Sequence, residues 1–233
     1  MTSITILHEA EVTIMSSWGT DAGIADAARV SLDGQPDRSR DAGLINTLLA
    51  KRHGSPFEHT FLKFHIKAPI MVFREFQRHR IGFSYNEMSG RYMKLPAEFY
   101  IPPADRPLFN EGTSMSPKFV IAGEATHHWM SRGIAIQYQA AWDAYEAMLE
   151  HGIANEVARA VLPVGIMSQM VVSCNARSLM SFLSLRVDSD QATFPTKPQW
   201  EIDHQVARMM EYEFKELFPL THLAFVNNGR VAP

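Results

Sequence analysis

FLKFHIKAPIMVFREFQRHR, residues 61–80, changes period part-way along, and that change decides the fold class. In 61–68, Leu62, Phe64, Ile66 and Ala68 alternate with Lys63, His65 and Lys67, the pattern of a strand with one buried face. Pro69 suits the first position of a helix. Met71, Phe73 and Phe76 carry that helix towards Arg80, with Arg74 and Arg78, four apart, on one face beside Gln77.

Residues 4–15 alternate loosely and read as a strand. A short helix is expected over 21–30 with Asp21 as its cap, then a turn at Asp33-Gly34-Gln35-Pro36. Leu44, Ile45, Leu48 and Leu49 recur at helical spacing over 39–52, with Gly54 as the stop. Residues 95–117 hold five prolines and read as irregular. A long helix over 119–149 has Tyr138, Trp142, Tyr145 and Leu149 as its core stripe, and a second over 155–162 ends at Pro163. A buried strand over 166–173 precedes a helix capped by Asn175 and reaching Arg186. An exposed loop over 188–198 and a last helix over 199–217 complete an α/β (α+β) pattern.

With 233 residues, 46% of them hydrophobic, the chain can bury a core as one domain or two packed lobes. A net charge of −3 supplies no global basic field, so neither nucleic acid nor an anionic membrane is an expected partner. Any phosphate must then be gripped by a local arginine cluster. The single cysteine, Cys174, excludes an intrachain disulfide framework and a multi-cysteine zinc site. The first residues lack a secretory pattern and no run approaches about 18 apolar residues, so a cytoplasmic protein is expected.

Residues 78–92, RHRIGFSYNEMSGRY, combine four basic side chains with glycine, serine, asparagine and glutamate. Guanidinium forks grip phosphate oxygens in pairs, while Ser, Asn and Glu sort the donors and acceptors of a heterocycle. The expectation is an enzyme acting on a nucleotide.

This run resembles the signature of the flavin-dependent thymidylate synthases. Three further blocks resemble that family in the same order: His53-Gly-Ser-Pro-Phe-Glu-His59, Glu156-Val-Ala-Arg-Ala-Val-Leu-Pro163, and Asn175-Ala-Arg-Ser-Leu-Met180 running into Arg186. The resemblance implies reductive methylation of dUMP to dTMP, with methylenetetrahydrofolate as carbon donor and NADPH-reduced FAD as hydride donor. It also implies a single domain over 1–233, with a central mixed or antiparallel sheet flanked by helices, and a homotetramer with active sites at subunit interfaces.

By family position the dUMP set is Glu75, Gln77, Arg78, Glu87, Met88, Ser89, Gly90, Arg91, Arg159 and Arg186. The phosphate wants several fixed donors, and Gly90 lets the backbone approach closely. Arg186 is the catalytic residue implied, a guanidinium at the uracil edge stabilising charge as carbon 5 becomes nucleophilic. The FAD set is His53, Ser55, Arg78, His79, Arg80, Ile81, Glu87, Asn175, Arg177 and Ser181. Glu58 and His59 do not form the His-Glu-x-x-His helix of a zinc enzyme, so no metal is expected. Cys174 ends an apolar strand and reads as a packed, inert thiol rather than a nucleophile.

Three departures from the family stand out. Eight residues, 81–88, separate Arg80 from Ser89 where seven are usual, and Gly82 is expected to absorb the extra one as a bulge. Ser181 replaces a common asparagine. The loop over 190–198 is longer than usual and either covers the nucleotide or folate mouth or decorates the surface. Two alternatives remain beside methylation: hydroxymethylation of dUMP at carbon 5, and a non-catalytic nucleotide-binding relative.

Overall fold

The computed structural model describes residues 3–31, 35–114 and 116–233. Strands β1 (Thr5–Leu7) and β2 (Glu11–Trp18) are followed by α1 (Asp21–Ala28), a 3-10 turn (Arg38–Arg40), α2 (Asp41–Ala50) and a second 3-10 turn (Ser55–Glu58). Next come β3 (Phe61–Pro69), α3 (Ile70–Phe76) and β4 (Phe83–Glu87). Short strands β5 (Glu98–Tyr100), β6 (Phe109–Asn110) and β7 (Phe119–Val120) precede the long α4 (Glu124–Glu150). After α5 (Asn155–Ala158) and a 3-10 turn (Arg159–Val161), β8 (Met167–Cys174) leads into α6 (Ala176–Arg186). The chain closes with α7 (Trp200–Ile202), a π turn (Asp203–Ala207), α8 (Arg208–Leu217) and α9 (Pro219–Asn227).

One sheet has the order β2-β3-β8-β4, β1 pairs with β5 in parallel, and β6 pairs with β7 antiparallel. The class is therefore mixed α/β. On β3 the expected alternation holds, with Leu62, Phe64, Ile66 and Ala68 all fully buried.

The chain divides into two compact units interleaved in sequence. The first holds Met1–Ala10, Lys67–Glu75 and Glu87–Gln169. Its core is Leu95, Phe99, Trp142, Tyr145, Ala158 and Ile166, with Phe99 stacked on Tyr138 at 4.9 Å between ring centres. The second holds Glu11–Ile66, Phe76–Asn86 and Met170–Pro233. There α2 packs on α9. The buried Asp21 carboxylate accepts from the backbone N–H of Leu220 (2.8 Å) and Thr221 (3.0 Å), satisfying donors that the start of α9 leaves open.

Several expected boundaries shift. The strand over 4–15 is two strands in different sheets, broken at residues 8–10. The cap of α1 is Thr20, whose hydroxyl accepts from Gly23 N–H, because Asp21 is committed to α9. After α2 the chain turns at Arg52, in the left-handed region at φ +61°, before Gly54 is reached. The helix leaving β3 stops at Phe76, not near Arg80, because its last carbonyl accepts from His79 N–H (2.8 Å), with the Tyr85 hydroxyl also within reach at 2.9 Å. Arg78 therefore lies in a turn rather than on a helix face with Arg74. Within the signature, residues 83–87 form β4.

Further along, α4 begins five residues late because Phe119–Val120 pairs as β7. The helix over 199–217 is interrupted by the π turn, where Arg208 N–H reaches back five residues to the Asp203 carbonyl. Helix α9 was not expected from the sequence. In the proposed turn at 33–36, Asp33 and Gly34 lie outside the described residues. The strand over 166–173 and the Asn175-capped helix hold, with Asn175 Oδ1 accepting from Ser178 N–H at 2.9 Å.

Candidate active site

In the second unit, α6 presents Ser178, Phe182 and Arg186, four residues apart, to the start of the signature. Gly82 has φ +68°, and a Cβ there would lie 2.0 Å from Ser178 Oγ and 3.2 Å from Asn175 Nδ2. The extra signature residue is thus absorbed by a left-handed turn ahead of β4, where only glycine fits, not by a bulge. Phe182 stacks on Phe76 at 4.8 Å and meets the His79 ring edge-on at 4.9 Å.

Arg186 Nε–H donates to His79 Nε2 at 3.2 Å. That nitrogen is then unprotonated, and the neutral ring carries its proton on Nδ1. Burial, and after it the Arg186 charge, lower the His79 pKa to about 4. Around this pair Gln77, Arg78, Arg80 and Ile81 are exposed, as are His53, Ser55 and Ser181. Arg177 Nε donates to the Pro233 carbonyl at 2.8 Å, and its guanidinium also pairs with Glu58.

In the first unit, Glu87, Met88, Gly90 and Arg159 line a cavity of about 110 Å³ with the buried Ser168. Met88 N–H donates to the Gln169 carbonyl at 2.8 Å, which sets this edge against β8. Burial raises the Glu87 carboxyl, and the Arg159 charge works against that rise. Ser89 Oγ accepts from Arg91 N–H at 3.3 Å, and Arg91 Nε pairs with Glu156 at 3.0 Å. Glu75 is half-buried near the end of α3. The cavity is well below the roughly 300–1,000 Å³ of ordinary ligand pockets, so alone it holds no whole nucleotide. A cavity of about 890 Å³ elsewhere in the second unit, beside α8 and α9, is lined by none of the residues expected at the site.

Of the residues expected at the site, His79 meets Arg186, and Asn175 meets Gly82. Glu87, Met88, Gly90 and Arg159 share a cavity. Sequence reading missed Ser168, Ser178 and Phe182. For the last two, the repeat of four on α6 that ends at Arg186 was the available signal. Cys174 is buried at the end of β8, and burial pushes its thiol up, away from thiolate. Among the described residues no group of three His, Cys, Asp or Glu is placed to hold a metal ion.

The family model described as thymidylate synthase complementing protein matches residues 13–220. Flavin-dependent thymidylate synthase from Streptomyces avermitilis is 48% identical over 229 residues, covering 95% of this chain and 93% of that one. This chain belongs to the flavin-dependent thymidylate synthase family. The family's enzyme from Thermotoga neapolitana is 41% identical over 224 residues, covering 96% of this chain and 94% of its own. Among solved structures, the UMP/dUMP methylase PolB from Streptomyces cacaoi bound with 5-Br dUMP matches with a TM-score of 0.93 at 40% identity. That match covers 99% of this chain and 100% of the other. The family read from residues 78–92 and its companion blocks therefore holds over nearly the whole chain.

Proposed function

We propose that this protein is a thymidylate synthase that methylates dUMP at carbon 5, drawing the carbon from methylenetetrahydrofolate and reducing equivalents from NADPH through bound FAD. The observation that carries this reading is Arg186 seated against the histidine of Arg-His-Arg, in a chain with flavin-dependent thymidylate synthases as relatives along nearly its full length.

The donor chemistry of the second unit fits FAD. A pyrophosphate needs fixed cations and hydrogen-bond donors, and exposed Arg78 and Arg80 flank His79 in the same unit as Ser55, Asn175 and Arg177. The absent Cβ of Gly82 keeps the backbone close to Asn175 and Ser178. His53, His79, Ile81, Glu87 and Ser181 complete the proposed cofactor set. Bound flavin supplies the hydride that turns a methylene carbon into a methyl group.

The chain's own work is electrostatic. Arg186 faces the uracil edge and stabilises negative charge on the ring as carbon 5 becomes nucleophilic. Ser89, Gly90, Arg91 and Arg159 take the phosphate, with Glu75, Gln77, Arg78, Glu87 and Met88 completing the nucleotide site. The Arg91–Glu156 pair is no obstacle, because both side chains are half exposed and such pairs contribute only about 0–1 kcal/mol. A phosphate dianion competes well against it. No enzyme thiol attacks carbon 6, so Cys174→Ala retains most activity.

The active form is a homotetramer whose subunits complete one another's sites. The small cavity around Glu87 supports that reading, as do Trp129 and Ile136, exposed seven residues apart on α4. The chain serves as a single functional domain, in line with the unbroken family match over 13–220. It works in the cytoplasm. Its one free thiol suits that compartment, and no helix among the described residues is long and apolar enough to cross a membrane.

Mass analysis of the nucleotide formed from dUMP, methylenetetrahydrofolate and NADPH tests the proposal, with UMP run alongside. The expected product is dTMP. A hydroxymethyl nucleotide, or no turnover by the yellow protein, overturns it.

A further inference from the structure

His79 sits at the end of the α3 turn and Arg186 at the end of α6, 107 residues apart in sequence. His79 is held at its backbone and at its ring. Its backbone carbonyl accepts from the Tyr85 hydroxyl at 2.7 Å, and its ring packs edge-on against Phe182, which stacks on the buried Phe76. A ring fixed in this way presents Nε2 in one direction, and there it meets Arg186 Nε at 3.2 Å.

We propose that His79 is a positioning residue for Arg186: its Nε2 accepts the Nε–H of the arginine and thereby fixes the plane of the guanidinium at the substrate's uracil edge. This rests on the reading of Arg186 given under the proposed function. A guanidinium is planar and its Nε–H lies in that plane, so one acceptor on Nε sets the orientation of the whole fork. Losing that acceptor frees the guanidinium plane to sample more orientations, which must be ordered again on every turnover. The acceptor must be unprotonated, and burial together with the adjacent positive charge keeps the ring neutral well below pH 7. The contact also leaves Nδ1–H as the ring's donor, so the same histidine can serve the cofactor through its other nitrogen.

The side-chain amide of glutamine places its oxygen near where Nε2 stands, while alanine leaves nothing there. The test compares kcat and the KM for dUMP, expressed per bound flavin, in His79→Gln, His79→Ala, Arg186→Ala and the His79→Ala/Arg186→Ala double variant. A misplacement of about 1 Å at a reacting group costs about a hundredfold in rate. His79→Ala is expected to lose about that factor in kcat per flavin, with His79→Gln recovering most of it. The double variant should be no worse than Arg186→Ala alone, the signature of two residues acting through one group. Fully additive losses, or a glutamine variant as poor as alanine, would overturn the inference while leaving Arg186 at the uracil. Undiminished activity in Arg186→Ala would instead overturn the substrate reading beneath it, and the inference with it. Nitrogen NMR of the His79 ring in the unaltered holoenzyme needs no variant. It is expected to show a protonated Nδ1 and a bare Nε2, and the opposite tautomer would overturn the proposal.

Discussion

Gly82 and His79 stand three residues apart and meet the same helix, one through the side chain it lacks and the other through its ring. Because Gly82 has φ +68° and its missing Cβ would fall 2.0 Å from Ser178 Oγ, alanine there carries two penalties. The left-handed backbone costs an alanine roughly 1–2 kcal/mol, and the displaced serine adds to it. Gly82→Ala is therefore expected to lower the thermal midpoint by several degrees and to reduce the flavin retained through purification, both read from one absorbance and melting series. A variant as stable and as yellow as the unaltered protein would mean that the turn relaxes without cost. At this scale the sequence displayed the donor set but not its pairings. Arg-His-Arg and Arg186 were readable as motif members, whereas their contact spans 107 residues and depends on how the chain folds back.

Elements with a one-sided environment were readable, and those defined by tertiary contacts were not. β3 alternates because one face is buried, and α6 announces itself through the Asn175 cap; α6 ends where expected, whereas β3 runs one residue further and takes in Pro69, which was expected to open the helix. α9 escaped because its sequence, PLTHLAFVN, shows no clear polar stripe, leaving Pro219 at its start as the only local signal. The early stop of α3 is helped by Tyr85, nine residues beyond Phe76, whose hydroxyl lies within hydrogen-bonding distance of both the Phe76 and His79 carbonyls. No propensity scale contains such a bond. Tyr85→Phe keeps the ring stacked on Phe83 but removes the donor, and is expected to cost about 1 kcal/mol. A lower urea midpoint at unchanged slope would register that loss. No shift would mean that water takes over both carbonyls. The long loop after α6 is likewise tied down by a distant partner, with Thr193 N–H donating to the Gly229 carbonyl at 2.8 Å.

For the molecule as a whole, acid stability should turn on Glu211 in the second unit. Burial alone would raise its pKa, but hydrogen bonds from His222 (2.9 Å) and from both terminal nitrogens of Arg230 (2.7 and 2.8 Å) reverse the shift, to about 2 against an ordinary 4.5. A carboxylate with a depressed folded-state pKa adds stability that is complete above about pH 4.5. That stability drains away as pH falls towards 2, because the unfolded chain takes up the proton first. Glu211→Gln is expected to flatten the fall in stability over that window, and to be less stable at neutral pH because it leaves the buried Arg230 without its counter-charge. Equilibrium unfolding at a series of pH values measures both effects, and an unchanged acid limb would remove Glu211 from the account.

The proposed function requires flavin chemistry to join NADPH, dUMP and methylenetetrahydrofolate on this chain. Its most direct test is an anaerobic absorbance experiment on the purified holoenzyme. NADPH should bleach the flavin, and dUMP added with methylenetetrahydrofolate should restore the yellow colour as dTMP appears, with neither compound sufficing alone. A flavin that NADPH leaves oxidised, or one that recovers its colour without forming dTMP, would contradict the account.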